Sequence, residues 1–308
     1  MQSTQSSHST HHDPSSSSAS NVSSLAGTRP PRVLWQSPRF RLWMWGLPLL
    51  VFIGIAIVGP MIVEYNAVQV NITARLEPPG AVLTDGSRAW LGTDQVGQDV
   101  FAQLIQGARV SLLVGAATIL IAGFIGLVTG VAAGFRGGWV DTVLMRLADI
   151  QLAFPSILLA ILIAAVLGPS VVNVILALAL TRWVTFSRVA RAATLAAKER
   201  DYVLAARAMG AGSWRLLLHH IVPSTIAPLI VITTVEVGLV IIAEASLSYL
   251  GLGTPPDQAS WGRSVANGRD YLNNAWWIAT MPGIALSLVV LCIGVFGDRL
   301  RDYLDPRL

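Results

Sequence analysis

Apolar residues in this chain run in long blocks, separated by short polar stretches. Six blocks stand out, at 43–63, 110–135, 148–167, 171–186, 226–250 and 276–296. A helix needs about 20 mostly apolar residues to cross the hydrocarbon core of a bilayer, and these blocks approach that length. In lipid every backbone N–H and C=O has to be satisfied within the segment, so the blocks read as helices rather than open strands. The pattern predicts an all-α integral membrane protein with six transmembrane helices.

Composition agrees with this pattern. With 53% hydrophobic and 12% charged residues, the chain has too little charge to wet the surface of a soluble domain. The first 40 residues differ: they are rich in Ser, Thr and His without apolar periodicity, which predicts a disordered tail. His8, His11 and His12 lie in it, and nothing there fixes a metal geometry. No positive segment runs into a short apolar core with a cleavage site, so the first span is expected to stay in the mature protein.

The arginines set the orientation. Placing the N-terminus in the cytoplasm puts 15 of the 21 basic residues inside, five outside and one, Arg182, within a span. This is the asymmetry of the positive-inside rule, and it leaves both termini cytoplasmic. The organisation expected is a tail over 1–40, a first helix over 41–63 and an external loop over 64–109. A core over 110–300 with five more helices follows, then a cytoplasmic tail over 301–308. A second external loop falls at 251–275, and a cytoplasmic loop spans 188–225. Basic residues beside spans, rather than along one helical face between aromatics, argue against nucleic acid.

The cytoplasmic loop is the most informative segment. Its Ala, Leu and Arg favour helix, and Gly210 and Gly212 supply a stop. A short helix is expected from Asp201 to Met209, then a turn, then a second helix over 214–221 that Pro223 breaks before the fifth span. Leu204, Ala205, Ala208 and Met209 share one small apolar face, flanked by Asp201 and Arg207. Such a face either fits a groove on a partner or lies on the bilayer surface.

The same loop resembles the EAA loop of binding-protein-dependent ABC importer permeases. Ala205, Ala206, Gly210 and Pro223 stand at the spacing of that motif, with Leu204, His220 and Val222 where it carries Glu, Ile and Leu. Asp201, one turn earlier, is a substitute for the missing carboxylate. Four further blocks, beginning LGTDQVGQDVF, GFRGGWVDTVL, IAEASLSYLGLG and GDRLRDYLD, resemble the dipeptide and oligopeptide members of that family. The resemblance implies the type I importer permease (MetI-like) fold in a bacterial inner membrane. It also implies a coupling helix that fits a cleft on an ATPase, formed by Asp201, Leu204, Ala205, Ala206, Arg207, Met209, Gly210 and Pro223. Expected partners are a second homologous permease, two ATP-binding subunits that carry the ATP and Mg, and an external substrate-binding protein. The cargo implied is a dipeptide or oligopeptide, with nickel or another small solute as the alternative within the subfamily.

The remaining polar positions fit either a functional or a packing role. Glu236 and Glu244 in the fifth span, with Asn173 and Arg182 in the fourth, either line a translocation path or make hydrogen bonds inside the bundle. Thr93, Asp94, Gly97 and Asp99 form a turn entering a helix, and the resemblance makes them a contact for the binding protein. Gly126, Gly130 and Gly134 form a ridge that suits close helix packing. Pro155 is expected to kink the third span, while Trp276 and Trp277 fit an interfacial belt.

Some chemistries are excluded. The sole lysine, Lys198, follows Ala196 and Ala197, so no P-loop exists in this chain. There is no zinc-protease motif or nucleophile elbow, and a catalytic residue, a metal site or a cofactor of its own is not expected. A secondary transporter remains as a rival, with Glu236 as its coupling carboxylate, though no inverted halves appear. An integral-membrane enzyme is disfavoured because no nucleophile and base cluster at a membrane face.

Overall fold

The computed structural model describes residues 38–63, 70–84 and 86–304. Expectations for the His-rich tail up to residue 37, for 64–69 and for 305–308 lie outside the described residues. Helix α1 runs Pro38–Ile62, α2 Val100–Arg136, α3 Gly138–Leu152, α4 Ser156–Leu167 and α5 Val171–Lys198. They are followed by α6 Asp201–Ala208, α7 Ser213–Leu216, α8 Val222–Tyr249, α9 Trp261–Gly268 and α10 Trp277–Leu304. Among the described residues, five helices are long and apolar enough to cross a membrane, or six if one bent pair counts as a span.

That bent pair corrects the third predicted span. Residues 148–167 do not form one rod: α3 and α4 meet at 85° across a break at 153–155. Pro155 has no N–H to continue the ladder and its ring crowds the preceding turn, so α3 ends and α4 restarts behind it. Side chains hold the corner. Gln151 Nε2 donates to the Leu180 carbonyl at 2.8 Å, and its Oε1 accepts from Trp183 Nε1 at 2.7 Å.

Helix α2 begins at Val100, so it enters the external region well before the apolar block at 110–135. Asp99 caps it, its Oδ1 accepting from the Phe101 N–H at 2.9 Å. Along most of its length α2 lies against α5. At Gly134 an added Cβ would stand 2.8 Å from Thr194 Cβ, and at Gly126 and Gly130 it would overlap the 186–190 backbone and side chains. The glycine ridge therefore brings two helix backbones together, as its spacing suggested. Lys198 closes this pair at the end assigned to the cytoplasm, donating to the Gly134 and Phe135 carbonyls at 3.2 and 3.1 Å.

The remaining helices build outward from α2 and α5. Val114, Ile119, Val174, Leu178, Phe186, Val240 and Leu247 form the main core among α2, α5 and α8. A second cluster, with Phe52, Ala108, Ile241, Trp261 and Ile293, joins α1, α2, α8, α9 and α10. Large apolar side chains also face outward, among them Leu120, Phe124, Leu158 and Val166. In a soluble protein such faces would be a liability; here they are surfaces for lipid or for a second chain.

The external segment is not wholly irregular. Ala81–Val82 (β1) and Arg88–Ala89 (β2) pair antiparallel, a small hairpin that the all-helical reading did not foresee. At the opposite end, Pro223 does not break the chain's next helix. A π turn over Leu217–Ile221, with the Val222 N–H bonded to the Leu217 carbonyl, carries α7 into α8. The wider turn accommodates a residue without an N–H, so the helical path continues from Ser213 to Tyr249.

Candidate coupling turn and intramembrane polar sites

Helix α6 stands on a small core of its own. Val203, Ala206 and Leu216 are buried together, with Ala211 packed against them. Its end is fixed by two bonds, Ala211 N–H to the Ala206 carbonyl and Gly210 N–H to the Arg207 carbonyl, both 3.0 Å. Gly210 takes φ +86°, which completes the Schellman arrangement expected of glycine just past a helix end. Asp201, Leu204, Ala205, Arg207, Ala208 and Met209 are all exposed, Met209 at 82%. The turn thus presents a small, mostly apolar face with none of the described residues over it.

The structure brings together most of the residues singled out in this loop, with two exceptions. Ala206 points inward, so it supports α6 rather than lying on its outer face. Pro223 lies beyond the π turn, at the start of α8. Sequence reading missed Val203 and Leu216, whose burial fixes which face of α6 is free. Tyr202 and Trp214 are exposed beside that face, and the Tyr202 ring lies 6.1 Å from that of His220.

The four intramembrane polar residues separate into three roles. Asn173 Nδ2 donates to the Leu167 and Gly168 carbonyls at 2.8 and 3.0 Å, closing the end of α4. Glu244 is fully buried and accepts from Ser248, Ser260 and Ser111 hydroxyls at 2.7, 3.0 and 3.4 Å. It ties α2, α8 and the segment before α9 together, and its carboxylate faces protein on every side. Both side chains are committed to hydrogen bonds within the chain. Arg182 and Glu236 instead form an ion pair between α5 and α8, 3.5 Å apart, with side chains 17% and 5% exposed.

In the turn before α2, Thr93 and Asp94 are buried. The Thr93 hydroxyl donates to the Ala74 carbonyl and accepts from the Glu77 N–H. Asp94 Oδ1 accepts from the N–H groups of Val96 and Gln98, and Oδ2 from Gln103 Nε2 at 2.6 Å. Gln103 in turn accepts from the Ser264 hydroxyl at 2.8 Å, so the loop, α2 and α9 share one chain of bonds. Burial pushes the Asp94 carboxyl above its ordinary range, and those donors pull it back. Gly97 lies tight against Asn71, and Asp99 is spent on capping. All four build the loop, and the Thr93 and Asp94 side chains are buried within it. Trp277 is likewise internal: it is buried, and its indole N–H donates to the Thr93 carbonyl at 3.0 Å, unlike the exposed Trp276.

This arrangement matches known proteins. Residues 126–308 match the family described as the binding-protein-dependent transport system inner membrane component. The chain is 39% identical over 287 residues to the di/tripeptide transport system permease protein DppC of Pseudomonas aeruginosa (strain UCBPP-PA14), covering 92% of this chain and 95% of that one. It is 38% identical over 281 residues to the oligopeptide transport system permease protein OppC of Bacillus subtilis (strain 168), covering 89% and 90%. Among solved structures, an inward-facing form of the MetNI methionine ABC transporter superposes with a TM-score of 0.54 at 18% identity, over 66% of this chain and 96% of that one. An amino acid ABC transporter gives the same TM-score at 15% identity, over 66% and 94%. At such identities the structures speak to the fold alone, and that fold is the importer permease fold. Helices built for lipid, a stiff turn left uncovered at one end and relatives of nearly equal length agree: this chain belongs to the inner-membrane permease family of binding-protein-dependent ABC importers.

Proposed function

We propose that the chain is one half of the translocation path of an ATP-driven importer for short peptides, and that α6 is where ATP hydrolysis on a partner is transmitted to it. One observation carries the reading: α6 is held rigid from behind by Val203, Ala206 and Leu216, while Leu204, Ala205, Ala208 and Met209 stay uncovered in front. A force applied to that face moves α7 and α8 with it, because the helical path is unbroken from Ser213 to Tyr249. The peptide class rests on the names of the relatives, which include di/tripeptide and oligopeptide permeases.

The assembly proposed has this chain beside a second, homologous permease, two ATP-binding subunits that hold ATP and Mg, and an external binding protein. Asp201 takes the place of the glutamate that the coupling motif carries at Leu204. ATP-driven closure of the two ATPases pushes α6, and the spans rock to open the path to the other side.

The test uses exposed residues, since a change at Ala206 would disturb the support of α6. Leu204→Asp and Met209→Asp each put an unpaired charge on the docking face without touching the small core. Both variants are expected to insert and melt like the wild type but to lose co-purification with the ATPase. Retention of the complex by both would remove the coupling role from α6.

A further inference from the structure

A small polar cavity of about 270 Å³ opens at the external end, between the 94–98 turn and α9. Gln95, Gln103, Gln258, Arg263, Ser264 and Asn267 are among the side chains around it. Most polar groups nearby are already paired. Asp94 has given its oxygens to Val96, Gln98 and Gln103, and Ser264 bonds Gln103. Two atoms are left over: Arg263 Nη1 and Gln95 Oε1 are buried and have no hydrogen-bond partner among the described residues. One is a cationic donor, the other a neutral acceptor, and both belong to residues lining this cavity.

A buried polar atom without a protein partner is costly, which makes it a place where a ligand recovers free energy. A guanidinium matches a carboxylate best, in planar, charge-assisted geometry. Asp94, on the same cavity wall, is committed elsewhere and forms no ion pair with Arg263 within 4.0 Å. Gln95 is held in place because its own carbonyl accepts from Arg75 Nε at 2.7 Å. Gln258 and Ala259 also wall a second cavity of about 380 Å³, which reaches Gln106 and Arg109 on α2. The polar surface thus continues from Arg263 toward the outer half of α2.

We propose that this cavity is a reception site for the free C-terminal carboxylate of the peptide cargo, with Arg263 binding the carboxylate and Gln95 accepting from an N–H of the same peptide. The inference rests on the peptide reading above. It assigns a specificity-determining role to a residue outside the ion pair and the coupling turn. A terminal carboxylate is shared by all linear peptides, so a site of this kind selects peptide ends without selecting side chains.

The full-length chain in lipid nanodiscs is titrated with alanyl-alanine and with its C-terminal amide, and contact is read by saturation-transfer NMR on the ligand. Saturable transfer to the free dipeptide is expected, competed by acetate and weaker for the amide. Arg263→Gln is expected to lower it about tenfold, as loss of a charge-assisted contact should, while Arg263→Lys keeps part of it. Gln95→Leu, which leaves the cation in place, is expected to weaken binding of both ligands alike. Equal signals from dipeptide and amide, or an unchanged signal in a folded Arg263→Gln variant, would overturn the proposal. The readout needs no transport: carboxylate-dependent binding without ATP-driven uptake would fault the importer reading, and uptake without it would fault this site.

Discussion

Arg182 and Glu236 show how much a single pair of charges can matter inside a membrane protein. Each was taken out of water when α5 met α8, and each now depends on the other across 3.5 Å. Removing one partner leaves the other buried and uncompensated. Glu236→Gln and Arg182→Gln are each expected to destabilise the chain, toward the lower end of about 3–5 kcal/mol because the guanidinium keeps some exposure. The double variant Arg182→Met/Glu236→Leu is expected to melt closer to the wild type than either single change. Thermal unfolding of the four proteins in detergent reads this directly, and additive losses would mean that the two side chains act separately. Sequence alone brought both residues into view, since charge within an apolar block is rare. It could not pair them, nor foresee that Glu244 would be enclosed by three serines, because those contacts join positions as far apart as 111 and 260.

Whole elements were easier to read than their ends. Apolar blocks gave most of the helices, and the glycine spacing marked the close-packed face of α2, though not that α5 is what lies against it. Gly130→Leu is expected to cost at least about 1–3 kcal/mol, since the obstacle is the Ser187 backbone rather than a movable side chain. Gly123→Ala, about two turns earlier, is expected to be tolerated, because an added Cβ there meets only the Phe186 ring at 3.9 Å. Melting temperature and membrane yield of the two variants check the ridge; equal effects would contradict it. What periodicity could not give was the 85° corner at Pro155 or the π turn before Pro223. A proline announces that the helical ladder is interrupted, but only packing decides between a sharp bend and a local widening. Here Gln151 and Trp183 hold the corner, whereas the helical path before Pro223 stays continuous into α8. The turn before α2 was legible as a turn, but not the burial of Thr93 and Asp94, because their hydrogen-bond partners lie elsewhere in the loop and on α2.

At the scale of the whole molecule, the chain is an incomplete machine. Its outward apolar faces need lipid or another chain against them, and the coupling proposed for α6 needs a partner to push it. No P-loop is present in the sequence to provide that force. The energy source separates an ATP-driven importer from a gradient-driven transporter. The decisive measurement is uptake of alanyl-alanine into proteoliposomes that contain this chain with its second permease, ATPases and binding protein. Uptake is expected to require ATP and Mg on the ATPase side, to persist when ionophores collapse every ion gradient, and to stop in the Met209→Asp variant. Uptake that follows an ion gradient and ignores ATP would contradict the account, and would make the Arg182–Glu236 pair the first place to look for coupling instead.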